Sequence, residues 1–317
     1  MDQRQRRVLY NRRYDGRINL KVRTMHLRGV FTAIITPFKE DGSVDEDCLK
    51  KLIDFNIENG VSGIVPCGTT GESPTLSHEE HDRVIELTIS HVNKRVLVIA
   101  GTGSNSTAEA IRLSKHAEEA GADALLIVNP YYNKPTQEGL YRHFKAIADS
   151  VKIAVIVYNI KGRTGVNVET KTLMRIIKDC PNVKAVKEAS GDLSQMKDVI
   201  AHRPEGFSVL SGDDNMALDL IKAGGDGVIS VASNVIPDRM ADMVGAALSG
   251  DLAKAEELHN AMMPFFKAEF IETNPIPIKC ALAMKGMCKE IYRLPMCELS
   301  AEHKQELKKV MEEMKII

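Results

Sequence analysis

The chain contains no tryptophan, and only 5% of its 317 residues are aromatic. Surfaces that stack nucleic-acid bases or sugar rings on aromatic side chains are therefore poorly supplied. The six cysteines stand apart at positions 48, 67, 180, 280, 288 and 297, with no Cys-x-x-Cys pair. That scatter argues against a zinc site or a disulfide framework, and for reduced thiols in a cytoplasmic protein. No apolar run approaches the roughly 18 residues that span a bilayer, so no membrane association is expected. Nucleotide-phosphate signatures are missing as well. Neither Gly-x-x-x-x-Gly-Lys-Ser/Thr nor Gly-x-Gly-x-x-Gly occurs, and Gly101-Thr-Gly103 lacks the third glycine.

The net charge of −1 hides an asymmetry. Residues 1–24 carry eight Arg/Lys and two Asp, a net of +6, while the remainder holds 34 basic and 41 acidic residues, a net of −7. An acidic body speaks against a nucleic-acid partner for the folded part. The basic leader has no hydrophobic stretch, so it is not a secretory signal. It is Arg-rich and acid-poor like a transit peptide, yet it contains no serine. Residues 1–26 are expected to form a disordered extension, or to reflect an upstream start with the domain beginning near Met25.

With 44% hydrophobic residues, the chain can bury a large core. From residue 30 a short Val/Ile/Ala-rich run, a Gly/Thr/Asn/Pro loop and an amphipathic stretch alternate. The strand candidates are Phe31–Thr36, Ser62–Pro66, Val96–Ala100, Ala124–Val128, Ala154–Tyr158, Val183–Lys187, Phe207–Leu210 and Gly227–Val231. Several are apolar throughout, as parallel strands buried on both faces must be. Ser77-His-Glu-Glu80 reads as a capping box, and the helix Thr107–Ala120 stops at Gly121. Gln137–Asp149 and Glu169–Asp179 have the same helical character. Eight strand–helix units predict an α/β protein, a closed (β/α)₈ TIM barrel over residues 27–238. Helical patterns at 239–249, 252–271, 277–290 and 301–316 predict a C-terminal helical region over 239–317.

In such barrels the chemistry sits on loops after the strands. The second strand runs into Cys67-Gly-Thr-Thr-Gly-Glu72, where glycines let backbone N–H groups approach a small anion. A Gly-rich turn alone specifies only a turn; its length and paired threonines suit a carboxylate better than a phosphate. The fourth strand ends in Asn129-Pro-Tyr-Tyr132-Asn, and the fifth in Tyr158-Asn159 followed by Arg163-Thr-Gly165. An arginine there is a solvated loop charge or a bidentate clamp for a carboxylate. The sixth strand closes on Lys187, 29 residues after Tyr158. A lysine and a tyrosine at the same end of neighbouring strands put an amine beside a proton donor. That pairing suits Schiff-base chemistry on a carbonyl, for which the amine must lose its proton. Lys184, three residues earlier, falls at the opposite end and reads as a solvated amine. His78-Glu-Glu-His81 lacks the i, i+4 histidine spacing of a zinc site and reads as a helix start, so no metal is expected. Asp213-Asp214 reads as a cap on the following helix.

Taken together, Gly68-Thr-Thr-Gly-Glu72, Pro130-Tyr-Tyr-Asn133, Tyr158-Asn159, Arg163-Thr-Gly165, Lys187-Glu-Ala-Ser-Gly191 and Ser211-Gly-Asp-Asp214 resemble the dihydrodipicolinate synthase / N-acetylneuraminate lyase family of class I aldolases. The resemblance covers residues 27–317. Arg-Thr-Gly after the tyrosine strand resembles the ring-forming branch more than the sialic acid lyases, although Lys161-Gly162 replaces the usual Pro-Ser. The resemblance implies that Lys187 condenses with pyruvate and that the enamine attacks L-aspartate 4-semialdehyde, in lysine and diaminopimelate biosynthesis. It implies Tyr158 as proton donor and acceptor, with Thr69 and Tyr132 extending a relay and Tyr132 reaching a neighbouring subunit. Thr70, with the backbone near Thr69 and Ile229, would hold the pyruvate carboxylate, and Arg163 the semialdehyde carboxylate. The iminium is itself the electron sink, so no cofactor is implied. A homotetramer and an L-lysine effector site at Ser73, His78, Asn105, Glu109 and Tyr131 are implied too. A sugar-acid aldolase and a silent lysine-binding barrel remain as alternatives.

Overall fold

Runs of β-branched and other apolar residues form eight strands in the protein's computed structural model, which describes residues 25–317. They are β1 Gly29–Ala33, β2 Gly63–Val65, β3 Leu97–Gly101, β4 Ala124–Val128, β5 Ala154–Asn159, β6 Val183–Glu188, β7 Ser208–Ser211 and β8 Gly227–Ser230. Each pairs in parallel with the next, and β1 closes on β8, giving the expected TIM barrel. The basic extension lies outside the described residues, apart from its last two.

Several strands are apolar throughout because both faces are covered. Phe31, Ile99, Leu126, Ile156, Leu210 and Ile229 fill the barrel interior. Their neighbours Val30, Val98, Leu125, Val155, Val209 and Val228 pack outward against the helices. Those helices are α1 Glu46–Glu58, α2 His78–Val92, α3 Thr107–Ala120, α4 Gln137–Asp149, α5 Thr170–Asp179, α6 Leu193–His202, α7 Ala217–Lys222 and α8 Pro237–Ser249. The capping box forms reciprocally, with Ser77 accepting from Glu80 N and Ser77 N donating to the Glu80 carboxylate at 3.0 Å. α3 stops at Gly121, whose φ of 96° an L-residue adopts only with strain.

Three further helices follow: α9 Leu252–Ala268, α10 Ile276–Met284 and α11 Ala301–Glu313. α8, grouped by sequence with this C-terminal region, packs on β1 and β8 as the eighth barrel helix. α10 is shorter than the pattern at 277–290 implies. It ends at Met284, and Gly286 with φ 70° turns the chain away.

α10 docks on the barrel through one charge. Lys279 is fully buried, with its ammonium on the Glu72 carboxylate, 3.0 Å from the Ile291 carbonyl and 4.3 Å from the Phe38 ring centroid. Burial pushes the Lys279 pKa down, and the Glu72 charge opposes that shift. Glu72 closes the threonine loop after β2, so this pair fastens that loop to the appendage. Removing one member of a buried pair strands the other charge and costs about 3–5 kcal/mol. Lys279→Met is expected to lose stability on that scale in urea unfolding, and Lys279→Met with Glu72→Gln to recover part of it.

Candidate active site

The barrel mouth is built around one rung of the β5–β6 ladder, in which Tyr158 stands opposite Lys187. Partners in a parallel pair project to the same face. Both side chains are therefore aimed into the mouth, with Lys187 5% and Tyr158 6% exposed and Lys187 Nζ 4.2 Å from the tyrosine ring centroid. Gly212, just after β7, leaves the space the lysine occupies. A Cβ there would lie 3.0 Å from Lys187 Cε and overlap the Ala189 side chain. Asp213 shares the cavity wall with Lys187; burial raises its carboxyl pKa, and the lysine charge partly offsets that. Lys184 lies beside an irregularity in the ladder, half-buried and away from the mouth.

Glu188, next to Lys187, faces the other way and is fully buried. It accepts from Asn159 Nδ2 at 3.2 Å, Ser190 N at 2.9 Å and Gln195 Nε2 at 3.2 Å, which ties the ends of β5 and β6 together. Desolvation raises its pKa against those bonds.

The loop after β2 turns through two non-glycine residues at positive φ, Cys67 at 55° and Glu72 at 51°. Gly71 N and Glu72 N donate back to Gly68 O and Thr69 O, each at 3.1 Å. Among the described residues, the N–H groups of Thr69 and Thr70 have no protein acceptor. That leaves two donors beside the lysine, the geometry a small carboxylate requires. Thr70 Oγ1 accepts from Asn274 Nδ2 at 3.0 Å.

Arg163 sits in a one-turn helix, Lys161–Thr164, just after β5. Asn129 holds that turn: its Nδ2 donates to Thr164 Oγ1 at 3.1 Å, and Ile160 N donates to its Oδ1 at 3.3 Å. Arg163 Nη2 donates to the Asn274 carbonyl at 3.1 Å. The Lys161-Gly162 departure leaves Arg163 on the same wall as Tyr158 and Lys187, and open space surrounds Gly162.

A cavity of about 430 Å³ extends outward from Thr69, Tyr158 and Arg163 to Ser73, His78, Glu109 and Tyr131. At its far end the Glu109 carboxylate contacts Ser104 Oγ and lies 2.8 Å from His78 Nε2. Those bonds, Ser104 first, hold its pKa below the usual glutamate value. Asn105 lies behind the wall, donating to the Tyr131 carbonyl at 3.2 Å.

Some residues singled out by sequence are not gathered here. Tyr132, at φ 70°, is 90% exposed and forms no part of this cavity. Ile229 packs in the barrel interior, and Val231 forms the wall at that strand end. The aspartate pair does not cap the next helix as expected. Asp214 instead accepts from Val231 N at 2.9 Å and Ala232 N at 3.1 Å, across to β8. Asn274 was missed. The Asn-Pro-Ile-Pro run marks a break between helices, but nothing local marks a contact with Thr70. His81 is buried with Nε2 2.9 Å from the Gly101 carbonyl. Among the described residues no His/Cys/Asp/Glu cluster is arranged to hold a metal, and no helix is long and apolar enough to cross a membrane.

Residues 26–314 match the dihydrodipicolinate synthetase family. The chain is 58% identical over 285 residues to the 4-hydroxy-tetrahydrodipicolinate synthase of Syntrophus aciditrophicus, covering 90% of this chain and 97% of that one. Its fold is similar to the crystal structure of the chloride-inhibited dihydrodipicolinate synthase of Acinetobacter baumannii complexed with pyruvate. That similarity has a TM-score of 0.89 at 44% identity, over 92% of this chain and 99% of the other. The Cyanidioschyzon merolae enzyme with lysine bound matches with a TM-score of 0.89 at 39% identity, over 92% and 99% of the two chains.

The tight space over Gly212 yields a direct test of the lysine's placement. Gly212→Ala is expected to leave far-UV circular dichroism unchanged and to slow borohydride trapping of a small keto acid on Lys187. A misplacement of this kind costs about 10- to 100-fold in rate.

Proposed function

Because the chain belongs to the dihydrodipicolinate synthetase family, we propose that it condenses pyruvate with L-aspartate 4-semialdehyde through a Schiff base on Lys187. The product is 4-hydroxy-tetrahydrodipicolinate, and the reaction belongs to lysine and diaminopimelate biosynthesis. The protein is an enzyme of the lyase kind. The observation that carries the site assignment is the rung that sets Tyr158 opposite Lys187, both buried in the barrel mouth.

Lys187 Nζ attacks the keto carbon of pyruvate and water leaves, giving an iminium. The pyruvate carboxylate rests on the Thr69 and Thr70 N–H groups and the Thr70 hydroxyl, whose orientation Asn274 sets. The iminium draws electrons from the methyl carbon, which loses a proton and becomes the enamine nucleophile. That carbon bonds to the semialdehyde carbonyl carbon, with Tyr158 supplying and removing protons. The amine of the semialdehyde then attacks the iminium carbon, expels Lys187 and closes the ring. Arg163 engages the semialdehyde carboxylate with its guanidinium. Val231 walls the site at the end of β8, and Ile229 supports it from below.

Tyr132 makes sense only beside a second copy. A tyrosine 90% exposed at a positive φ is a poor surface residue, and it completes the relay through Thr69 in a neighbouring subunit's site. Membership of the family supports reading that second copy as part of a homotetramer, and the protein as cytoplasmic. L-lysine is the effector: its ammonium meets Glu109, near Ser73, His78 and Tyr131, with Asn105 bracing the Tyr131 backbone. The lysine-bound relative supports this assignment.

The decisive experiment is intact-protein mass spectrometry after borohydride treatment with pyruvate, followed by an assay with the semialdehyde. A pyruvate adduct and ring formation are expected, both lost in Lys187→Ala. An adduct without ring formation would return the reading to a sugar-acid aldolase. Tyr158→Phe is expected to retain the adduct and lower kcat about 10²- to 10⁴-fold, the usual worth of a positioned acid–base group. Glu109→Gln is expected to abolish lysine inhibition and leave turnover intact. Because the Glu109 pKa is depressed, inhibition persists as pH falls through the ordinary glutamate range and is lost only below it. Inhibition curves at stepped pH read that sign.

A further inference from the structure

The outer lip of the cavity belongs to the appendage, not to the barrel. α9 ends on Glu269, which is fully buried, and the chain continues through Phe270 to Asn274. Phe270 and Asn274 both line the cavity. Asn274 bonds Thr70 and Arg163, the two residues assigned to the substrate carboxylates. Whatever fixes Glu269 therefore fixes both substrate contacts.

α9 packs on the turn after β7 that carries Asp214, and Glu269 and Asp214, the latter 1% exposed, are both buried there. One oxygen of Asp214 takes the Val231 and Ala232 N–H bonds that secure the end of β8. Among the described residues, three carboxyl oxygens remain buried without a partner: Asp214 Oδ1 and both oxygens of Glu269. Among the described residues, no cation faces them. From the β7 turn the charged neighbour is Asp213, whose own cation is Lys187. From β8 come only Ser230 and two amides. On α9 the adjacent residues Phe265, Phe266 and Ala268 are buried hydrocarbon, Lys267 is exposed, and His259 lies toward Asp219 and Lys222.

Two neighbouring carboxylates cannot both be charged in such a place. They share a proton, and the acid of the pair becomes a hydrogen-bond donor. Asp214, already stabilised by two amides, is the better anion. We propose that Glu269 is a positioning residue held as a neutral acid, donating its O–H to the Asp214 carboxylate. This bond latches the cavity lip to β8, and loss of the proton at alkaline pH loosens substrate binding. The proposal rests on the assignment of this cavity as the active site. Burial raises both carboxyl pKa values, and the Asp214 charge pushes that of Glu269 further, well above the usual glutamate value.

The sign follows from linkage. A carboxyl whose folded pKa is raised contributes stability that is full below its unfolded pKa and lost as pH rises through the folded one. Glu269→Gln keeps the shape and supplies a donor that never ionises. Urea unfolding of the full chain, followed by circular dichroism from about pH 6 to about pH 9, compares the two. The wild-type unfolding constant is expected to rise about tenfold per pH unit relative to the variant's until the folded pKa is passed. In steady-state assays the wild-type KM for the semialdehyde climbs at alkaline pH, whereas that of Glu269→Gln stays flat. A merely structural Glu269 would shift stability equally at every pH, and parallel profiles would overturn the proposal. If Glu269→Gln fails to fold, Asp214→Asn serves: it removes the charge that pushes the Glu269 pKa further up, so the slope is expected to end at a lower pH than in the wild type. A slope ending at the same pH in Asp214→Asn would overturn the latch. The unfolding measurement needs no turnover, so a flattened profile in an inactive protein would sink the activity reading and leave the latch standing.

Discussion

One rung of backbone pairing sets the chemistry of this protein, and a single irregularity sets that rung. Below it, Val155 pairs with Val183; above it, Ile156 pairs with Ala185, so β6 carries one extra residue at Lys184. Val183 accordingly packs outward, and Ala185 and Lys187 face inward. Without the extra residue Tyr158 would stand opposite Val186, and Lys187 opposite Asn159. A shift of one exchanges every side chain between faces. Val186 would then take the lysine's place, and Glu188, now held among Asn159, Ser190 and Gln195, would turn into the mouth beyond it. The bulge is thus the point where strand geometry becomes catalytic geometry.

Around that rung, the barrel supplies chemistry and the appendage supplies shape. The loop carrying Thr69 and Thr70 is fastened at its far end by the buried Glu72–Lys279 pair. Its hydroxyl is oriented by Asn274, and Arg163 is steadied by the same residue. Strain at Cys67 and Glu72, both at positive φ, is held in place by contacts that span more than 200 residues of sequence, 204 for Asn274–Thr70 and 207 for Lys279–Glu72. Such strain persists only where the surroundings over-determine it.

What could be read from sequence follows from the same division. The strands were legible because burial on both faces leaves continuous apolar runs, and α2, α3 and α4 because their caps are local. Lys187, Tyr158 and Arg163 were legible because a parallel barrel presents every strand end on one face. Asn274, Glu269 and Lys279 were not, since each acquires its meaning from a partner far along the chain. The Asp214 side chain was misassigned for the same reason: a short acidic residue before a helix has a local use, and here a β8 amide pair outcompetes it. Residues 239–249 of α8 were grouped with the appendage because no local signal tells a closing barrel helix from the next one. Tyr132 was singled out by the resemblance alone, and in the fold it stands exposed outside the cavity.

The placement of Asn274 and Phe270 has a consequence for how such a protein diversifies. The reacting groups are rooted in the barrel, while the residues trimming their pocket hang from helices outside it. A substitution at Phe270 alters which molecules fit without touching β5 or β6, the strands that carry Tyr158 and Lys187. Selectivity and reactivity are thereby separately heritable, and a lineage can explore new substrates while its reaction stays constant.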